Sequence, residues 1–373
     1  MKYIYIALLV IIIVIALCCY CRKEKFTAAF IKSDSSLQFL EYYDMGDHRT
    51  MVQLQRGNSG ETVLLLHNTP MNLDIWMPLF QTMQRINMTG VVTPNLVAYD
   101  IRGNGTAWLP VDDKYNDLNI KNYAWKLEQF VEDCKQIYDK VIGNGKIKIC
   151  GIGFGGIIAQ KYALTYPETI EKLILLQTSI RPTPGLYPEI NYLAGPQGWI
   201  AKNPHVTYLT SEEKFVQQNL CNWFYLPEKN NCPKDPLVDQ YDDNNDQTSP
   251  QYNLVAKMWR QGSSTTLLQI DKLRVSTDLV PDWEKAKVSF GIHILSATDD
   301  PYSPPDVMTA TYTTIYNNNR HLVVALDIVN GRHAFYIMRP DYIAGIICGD
   351  CEHVPQHEVA SAKNTIRAPD HGF

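Results

Sequence analysis

No part of the chain concentrates lysine and arginine, and the formal net charge over 373 residues is −5. Binding to a phosphate backbone needs a dense basic surface, so no nucleic acid partner is expected. Self-similarity at a period of roughly 20 to 50 residues is also missing, which removes solenoids. There is no glycine-rich phosphate loop, so no nucleotide cofactor is implied. Cys348, Cys351, His353 and His357 supply metal-ligand residue types near the end of the chain. A single residue separates Cys351 from His353, too little chain to wrap a metal in paired-knuckle geometry, so residues 348–373 read as a surface tail and no metal is expected.

What the chain does have is enough apolar residue to build a full core: 45% hydrophobic against 20% charged, close to folded soluble proteins in general. Residues 3–21 read YIYIALLVIIIVIALCCYC, without charge, proline or glycine. At about 1.5 Å per helical residue this run nearly spans a hydrocarbon core of about 30 Å, and it reads as one transmembrane helix. A cleaved signal would be shorter and end in small residues, whereas Leu17 and Tyr20 border this exit. Cys18, Cys19 and Cys21 next to Arg22 and Lys23 fit either reversible acylation or plain apolar packing. Orientation signals conflict. The slight basic excess after the run favours a cytoplasmic body, while the sequons at Asn87 and Asn104 and a Cys221–Cys232 pair would suit an oxidising lumen.

Beyond the anchor (1–25), LQFLEYY and TMVQLQ alternate like an antiparallel strand pair. The runs TVLLLH, NLVAYD, KIKICG, KLILLQ, IHILSA and LVVALDIV are apolar on both faces, as buried parallel strands are. Between them, Leu127, Phe130, Val131, Cys134, Tyr138 and Val141 recur at helical steps until Gly143-Asn144-Gly145. Alternating strand and helix predict a doubly wound α/β sheet over residues 26–347. Prolines and an acidic, Asn-rich stretch mark an insertion over about 180–287. Its aromatics, Trp199, Trp223, Phe224, Tyr225 and Trp259, suit either a cap over an apolar pocket or a small core of their own.

Residues 150–176, CGIGFGGIIAQKYALTYPETIEKLILL, resemble the strand, nucleophile elbow, helix and strand of the α/β-hydrolases, whose elbow reads G-x-S-x-G. Here the motif is Gly151-Ile152-Gly153-Phe154-Gly155: the turn is kept and the serine is replaced by Gly153. LLLHNTPMNLDIW resembles the H-G-x-P loop, with Asn68 in place of glycine; asparagine is the next most tolerant residue of left-handed backbone, so the loop can survive the change. The resemblance implies oxyanion donors at the backbone N–H groups of Thr69 and Phe154. YDIRGNG resembles the D-x-R-G-x-G turn and supports the fold. ILSATDDPYSPPD resembles the loop of the triad acid and selects Asp300 over Asp299; NGRHAFYIMRPDYI resembles the loop of the triad histidine and selects His333. The implied architecture is a mostly parallel α/β-hydrolase sheet with a helical cap.

With no side-chain oxygen or sulfur at position 153, the two-step acyl-enzyme route is closed. One functional expectation is a reduced hydrolase acting on an ester- or amide-type small molecule, with His333 oriented by Asp300 as general base. The other is a catalytically silent scaffold, since glycine in a kept elbow is similar to the N-myc downstream-regulated family. A membrane tether and an aromatic-rich insertion point to an apolar, lipid-like ligand.

Overall fold

β1 (Gln38–Asp44) and β2 (Arg49–Gln55) pair antiparallel, as expected from the sequence, with β1 lying largely exposed at the sheet edge. The apolar runs become β3 (Thr62–Leu66), β4 (Asn95–Tyr99), β5 (Ile147–Ile152), β6 (Ile170–Leu176), β7 (Gly291–Ala297) and β8 (Val324–Val329). These six pair in parallel in the order β4-β3-β5-β6-β7-β8. β2 joins one side antiparallel through β4, and a short β9 (Thr365–Arg367) joins the other through β8, giving, among the described residues, nine strands in one sheet. The computed structural model describes residues 38–107, 125–182, 220, 223, 250–262, 264–349 and 365–367.

Every residue of β5 is buried, because helices cover both faces of the sheet. Ile147 and Ile149 face one layer of core, which includes α2 (Leu127–Ile137), α3 (Phe154–Thr165) and α7 (Pro305–Asn318). Cys150 and Ile152 face the other, which includes α1 (Met77–Met88), the short α8 (Phe335–Met338) and α9 (Pro340–Cys348). Each fully buried aliphatic or aromatic side chain contributes roughly 1.5–3 kcal/mol, so this two-faced burial holds the sheet's centre rigid. The last helical turn after α2 widens into a π turn, Tyr138–Ile142, and stops at Gly143, where φ is 85°. At the opposite end of the sheet from the elbow, Lys148 and Lys172 donate to the Ile347 and Ile346 carbonyls and satisfy the C-terminus of α9.

The YDIRGNG turn is structural. Asp100, buried, accepts from the Leu73 and Thr106 N–H groups, and Arg102 makes a two-pronged bond to Asp133. Between β6 and β7 the described insertion residues include α4 (Pro250–Gln261), α5 (Ser264–Ser276) and α6 (Val280–Lys285). Trp223 and Trp259 are buried in the core against each other, ring centroids 6.0 Å apart. Trp199, Phe224, Tyr225, the Cys221–Cys232 pair, the apolar run at 3–21, and Cys351, His353 and His357 lie outside the described residues. Among the described residues no helix is long and apolar enough to cross a membrane.

Candidate active site

The elbow forms because strand β5 must turn directly into α3. A Cβ on Gly155 would lie 2.4 Å from the His67 carbonyl oxygen, and one on Gly151 would lie 2.4 Å from that of Gly155. Side chains there would force the turn open. Between them Gly153 sits at φ 50°, ψ −116°, a conformation side-chain-bearing residues rarely adopt. Its N–H donates to Leu176 and its carbonyl accepts from Gly156, Ile157 and the Thr178 hydroxyl.

The space that a side chain at position 153 would take is filled. A Cβ built on Gly153 would meet Asn68 Cγ and Oδ1 at 2.6 Å and Nδ2 at 2.7 Å. Asn68 Oδ1 accepts the Phe154 N–H at 3.0 Å. One of the two expected oxyanion donors therefore already has an acceptor from this chain. Thr69, the other, makes no backbone N–H bond among the described residues, while its hydroxyl donates to Asn104 Oδ1 at 2.8 Å. Asn68 is held from behind: His67 Nδ1 donates to its carbonyl at 2.7 Å, and His67 Nε2 accepts the Ile101 N–H. Burial pushes His67 down to about 4, so it stays neutral and its Nδ1 carries the proton.

Asn68 does not use the left-handed backbone that asparagine tolerates. Among the described non-glycine residues that conformation belongs to Gln177, at φ 49°, immediately after β6. Strain of this kind persists only where surroundings over-determine it, and Gln177 is so fixed. Its N–H donates to Leu295, its carbonyl accepts the Ser303 hydroxyl, and its side-chain amide donates to the Arg332 carbonyl. One residue thus ties the elbow's neighbouring strand to the loops that carry Asp300 and His333.

Those loops bring the two residues together. His333 Nδ1 lies 3.1 and 3.0 Å from the two Asp300 carboxylate oxygens, and Asp300 Oδ1 also accepts the Tyr302 and Ser303 N–H groups. A carboxylate accepts only, so Nδ1 carries the proton and Nε2 presents a lone pair. Asp299 instead takes the Thr298 hydroxyl. The His333 ring is packed edge-on by Trp223 at 4.5 Å and Tyr302 at 4.9 Å. It is 1% exposed, and its Nε2 has no hydrogen-bond partner.

A cavity of about 20 Å³ adjoins it, lined by Gly153, Gln177, Thr178 and His333 on the sheet side and by Arg181 and Arg274 from the insertion. That is room for one water molecule, and it is far too small for an acyl chain. Of the insertion aromatics expected at a pocket, the two described ones, Trp223 and Trp259, are not in this lining but pack the core behind His333. Gln177, Arg181, Arg274 and the space-filling role of Asn68 were missed by sequence reasoning. Asn68 carried one signal, a side chain in the loop position that commonly has none, opposite an elbow that has lost its own.

A family profile described as serine aminopeptidase, S33, matches residues 82–329. Among curated proteins, the chain is 30% identical over 129 residues to a putative 2-succinyl-6-hydroxy-2,4-cyclohexadiene-1-carboxylate synthase of Bacillus subtilis, covering 35% of this chain and 39% of that one. It is 34% identical over 94 residues to epoxide hydrolase 4 of Homo sapiens, covering 25% and 22%. The chain therefore matches well under two thirds of either relative's length. Similar solved structures include a hydrolase from Pseudomonas aeruginosa, with TM-score 0.60, 17% identity and coverage of 83% of this chain and 96% of that one. An enol-lactonase from Burkholderia xenovorans has TM-score 0.58, 15% identity and coverage of 82% and 98%. At such identities the likeness shows a shared α/β-hydrolase fold.

Proposed function

Because the chain belongs to the serine aminopeptidase (S33) family of α/β-hydrolase-fold proteins yet holds glycine at its elbow, we propose a hydrolase-like enzyme that works without a covalent nucleophile. The observation that carries this reading is His333: buried, aimed by both oxygens of Asp300, and unpartnered at Nε2 beside a water-sized cavity. In this mechanism Nε2 takes a proton from water as the water oxygen bonds to the carbonyl carbon of a small ester or amide. The Thr69 N–H and the Asn68 carboxamide are the donors nearest to hand for the developing oxyanion. As the tetrahedral intermediate collapses, the proton on Nε2 passes to the departing alcohol or amine. Asp300 stays ionised and balances the imidazolium in between.

One observation favours a second reading. Asn68 Oδ1 occupies the Phe154 N–H, as it would in a silent scaffold that has no oxyanion to hold. Under either reading the apolar run at 3–21 tethers the domain to a membrane, and extraction by detergent but not by alkaline carbonate is the expected behaviour. The deciding experiment compares hydrolysis of short, activated esters by the full chain and by His333→Ala. Turnover by wild type alone supports the enzyme. Equal inactivity of two folded proteins supports the scaffold. A serine-directed fluorophosphonate should label neither.

A further inference from the structure

We propose that the cavity beside His333 holds a single water through two acceptors, His333 Nε2 and Gln177 Oε1, and that Gln177 is the residue that aims this water at a bound substrate. Both residues line the cavity, both atoms are buried, and neither has a hydrogen-bond partner. With the Nδ1 proton directed at Asp300, Nε2 offers only a lone pair. The orientation of the Gln177 amide is fixed as firmly. Its Nε2 donates to the Arg332 carbonyl at 3.1 Å, and a carbonyl accepts only, so the oxygen is the atom left over. Arg332 immediately precedes His333, so that bond also ties the amide to the loop that carries the imidazole.

Two buried acceptors in one small space are costly unless a donor meets each. Two of the lining's hydroxyls are engaged elsewhere: Ser303 donates to the Gln177 carbonyl at 2.9 Å and Thr178 to that of Gly153 at 2.8 Å. The room, about 20 Å³, suits one water. A small cation would be repelled by Arg181 and Arg274 in the same lining, and a bare anion would bring neither acceptor a proton. Water is neutral, is of the right size and carries two O–H groups. As His333 takes one proton and the water oxygen bonds to a carbonyl carbon, the second O–H stays on Gln177 Oε1 and turns the oxygen's lone pair toward the substrate. The carbonyl π electrons pass to the carbonyl oxygen, and the Gln177 amide neither gains nor loses a proton. The strained backbone of Gln177, held at φ 49° by its bonds to Leu295, Ser303 and Arg332, fits a residue kept for its position.

The water site stands on these atoms alone; its use in attack rests on the proposed hydrolysis. Two measurements separate them. A crystal structure of the full chain in detergent should show one ordered water about 2.7–3.2 Å from both Nε2 and Oε1. Gln177→Met, which nearly keeps the size and removes the acceptor, should lose it. Density for a water on Nε2 that leaves Oε1 alone, or none at either atom in the wild type, would overturn the proposal whether or not esters are hydrolysed. The second measurement is competition between water and added methanol during turnover of an activated ester, read as free acid against methyl ester. Methanol has a single O–H, which Nε2 needs, so the wild type should favour water. Gln177→Met should lower kcat about tenfold, the weight of one hydrogen bond, with KM little changed, and should shift the ratio toward methyl ester. Gln177→Asn suits left-handed backbone but is one carbon too short to hold both bonds, and should shift the ratio the same way with the fold intact. Ser303→Ala loosens the same loop while leaving Oε1 in place, and should slow both products together. An unchanged ratio in the two Gln177 variants, or an equal shift in Ser303→Ala, would refute the positioning role. No turnover by wild type would sink the attack and the hydrolase reading together, and the crystallographic result would then decide the water site by itself.

Discussion

Putting a serine back at the elbow should not by itself restore a serine hydrolase. In Gly153→Ser the new Cβ would meet the Asn68 carboxamide at 2.6 Å, closer than real Cβ contacts come. Asn68 must then swing away and give up its bond to the Phe154 N–H, or the elbow must shift. Overpacking of this sort costs about 1–3 kcal/mol, and a side chain at φ 50°, ψ −116° adds strain of order 1–3 kcal/mol. The single variant should therefore lose roughly 2–6 kcal/mol of stability. Combining it with Asn68→Gly removes the clash and leaves only the strain, so the pair should be more stable than the sum of the singles predicts by about 1–3 kcal/mol. The double variant also frees the Phe154 N–H as an oxyanion donor. Urea unfolding of wild type, both singles and the double measures the coupling. Fluorophosphonate labelling at position 153 and a burst of product from an activated ester measure the chemistry. Labelling of Gly153→Ser as fast as of the double variant, with no coupling in stability, would show that Asn68 does not obstruct the site.

Three further outcomes are expected. Asp300→Asn should lower any His333-dependent hydrolysis at least about a hundredfold with the fold intact, because an amide can donate to Nδ1 and move the ring proton to Nε2; unchanged turnover would remove Asp300 from the mechanism. His67, held near 4 in the fold against about 6.5 when unfolded, disfavours protonation of the native state. Its contribution is full above about pH 6.5 and drains away as pH falls toward 4, by roughly 3 kcal/mol in all; His67→Asn should flatten that part of the stability profile, and identical profiles would refute the assignment. If the body faces a lumen, mass spectrometry should find glycan at Asn87 and none at Asn104, whose side chain is 4% exposed and bonded to Thr69 and to two carbonyls.

The sheet was legible because its signals are local. Short two-sided apolar runs bounded by turn residues read as strands under helices, and the glycine at 151 is demanded by the Gly155 carbonyl one turn away, whereas the one at 155 answers to the Leu66 and His67 carbonyls of the neighbouring strand's end. The Asp300–His333 approach was readable only through the resemblance, since no spacing rule links residues that meet through separate loops. Asn68 escaped for a related reason: its partner, the Phe154 N–H, lies 86 positions on. The left-handed backbone at Gln177 carried no sequence signal, because it is imposed by tertiary bonds, here from Leu295, Ser303 and Arg332, and not by the residue's own preference. The small, charged cavity depends on side chains of the insertion, whose pattern carries no periodic signal.

Gln177 also bears on when, during folding, a working site comes into existence. Its bonds to Ser303 and Arg332 close loops of 126 and 155 residues. Contacts across such separations form late, because the chain entropy they remove must first be offset by nearer ones. The dyad is therefore absent from any partly folded species that has only its first strands and elbow in place. Until those loops close, His333 is an ordinary imidazole without Asp300 to orient it, and their closure is what arms the site.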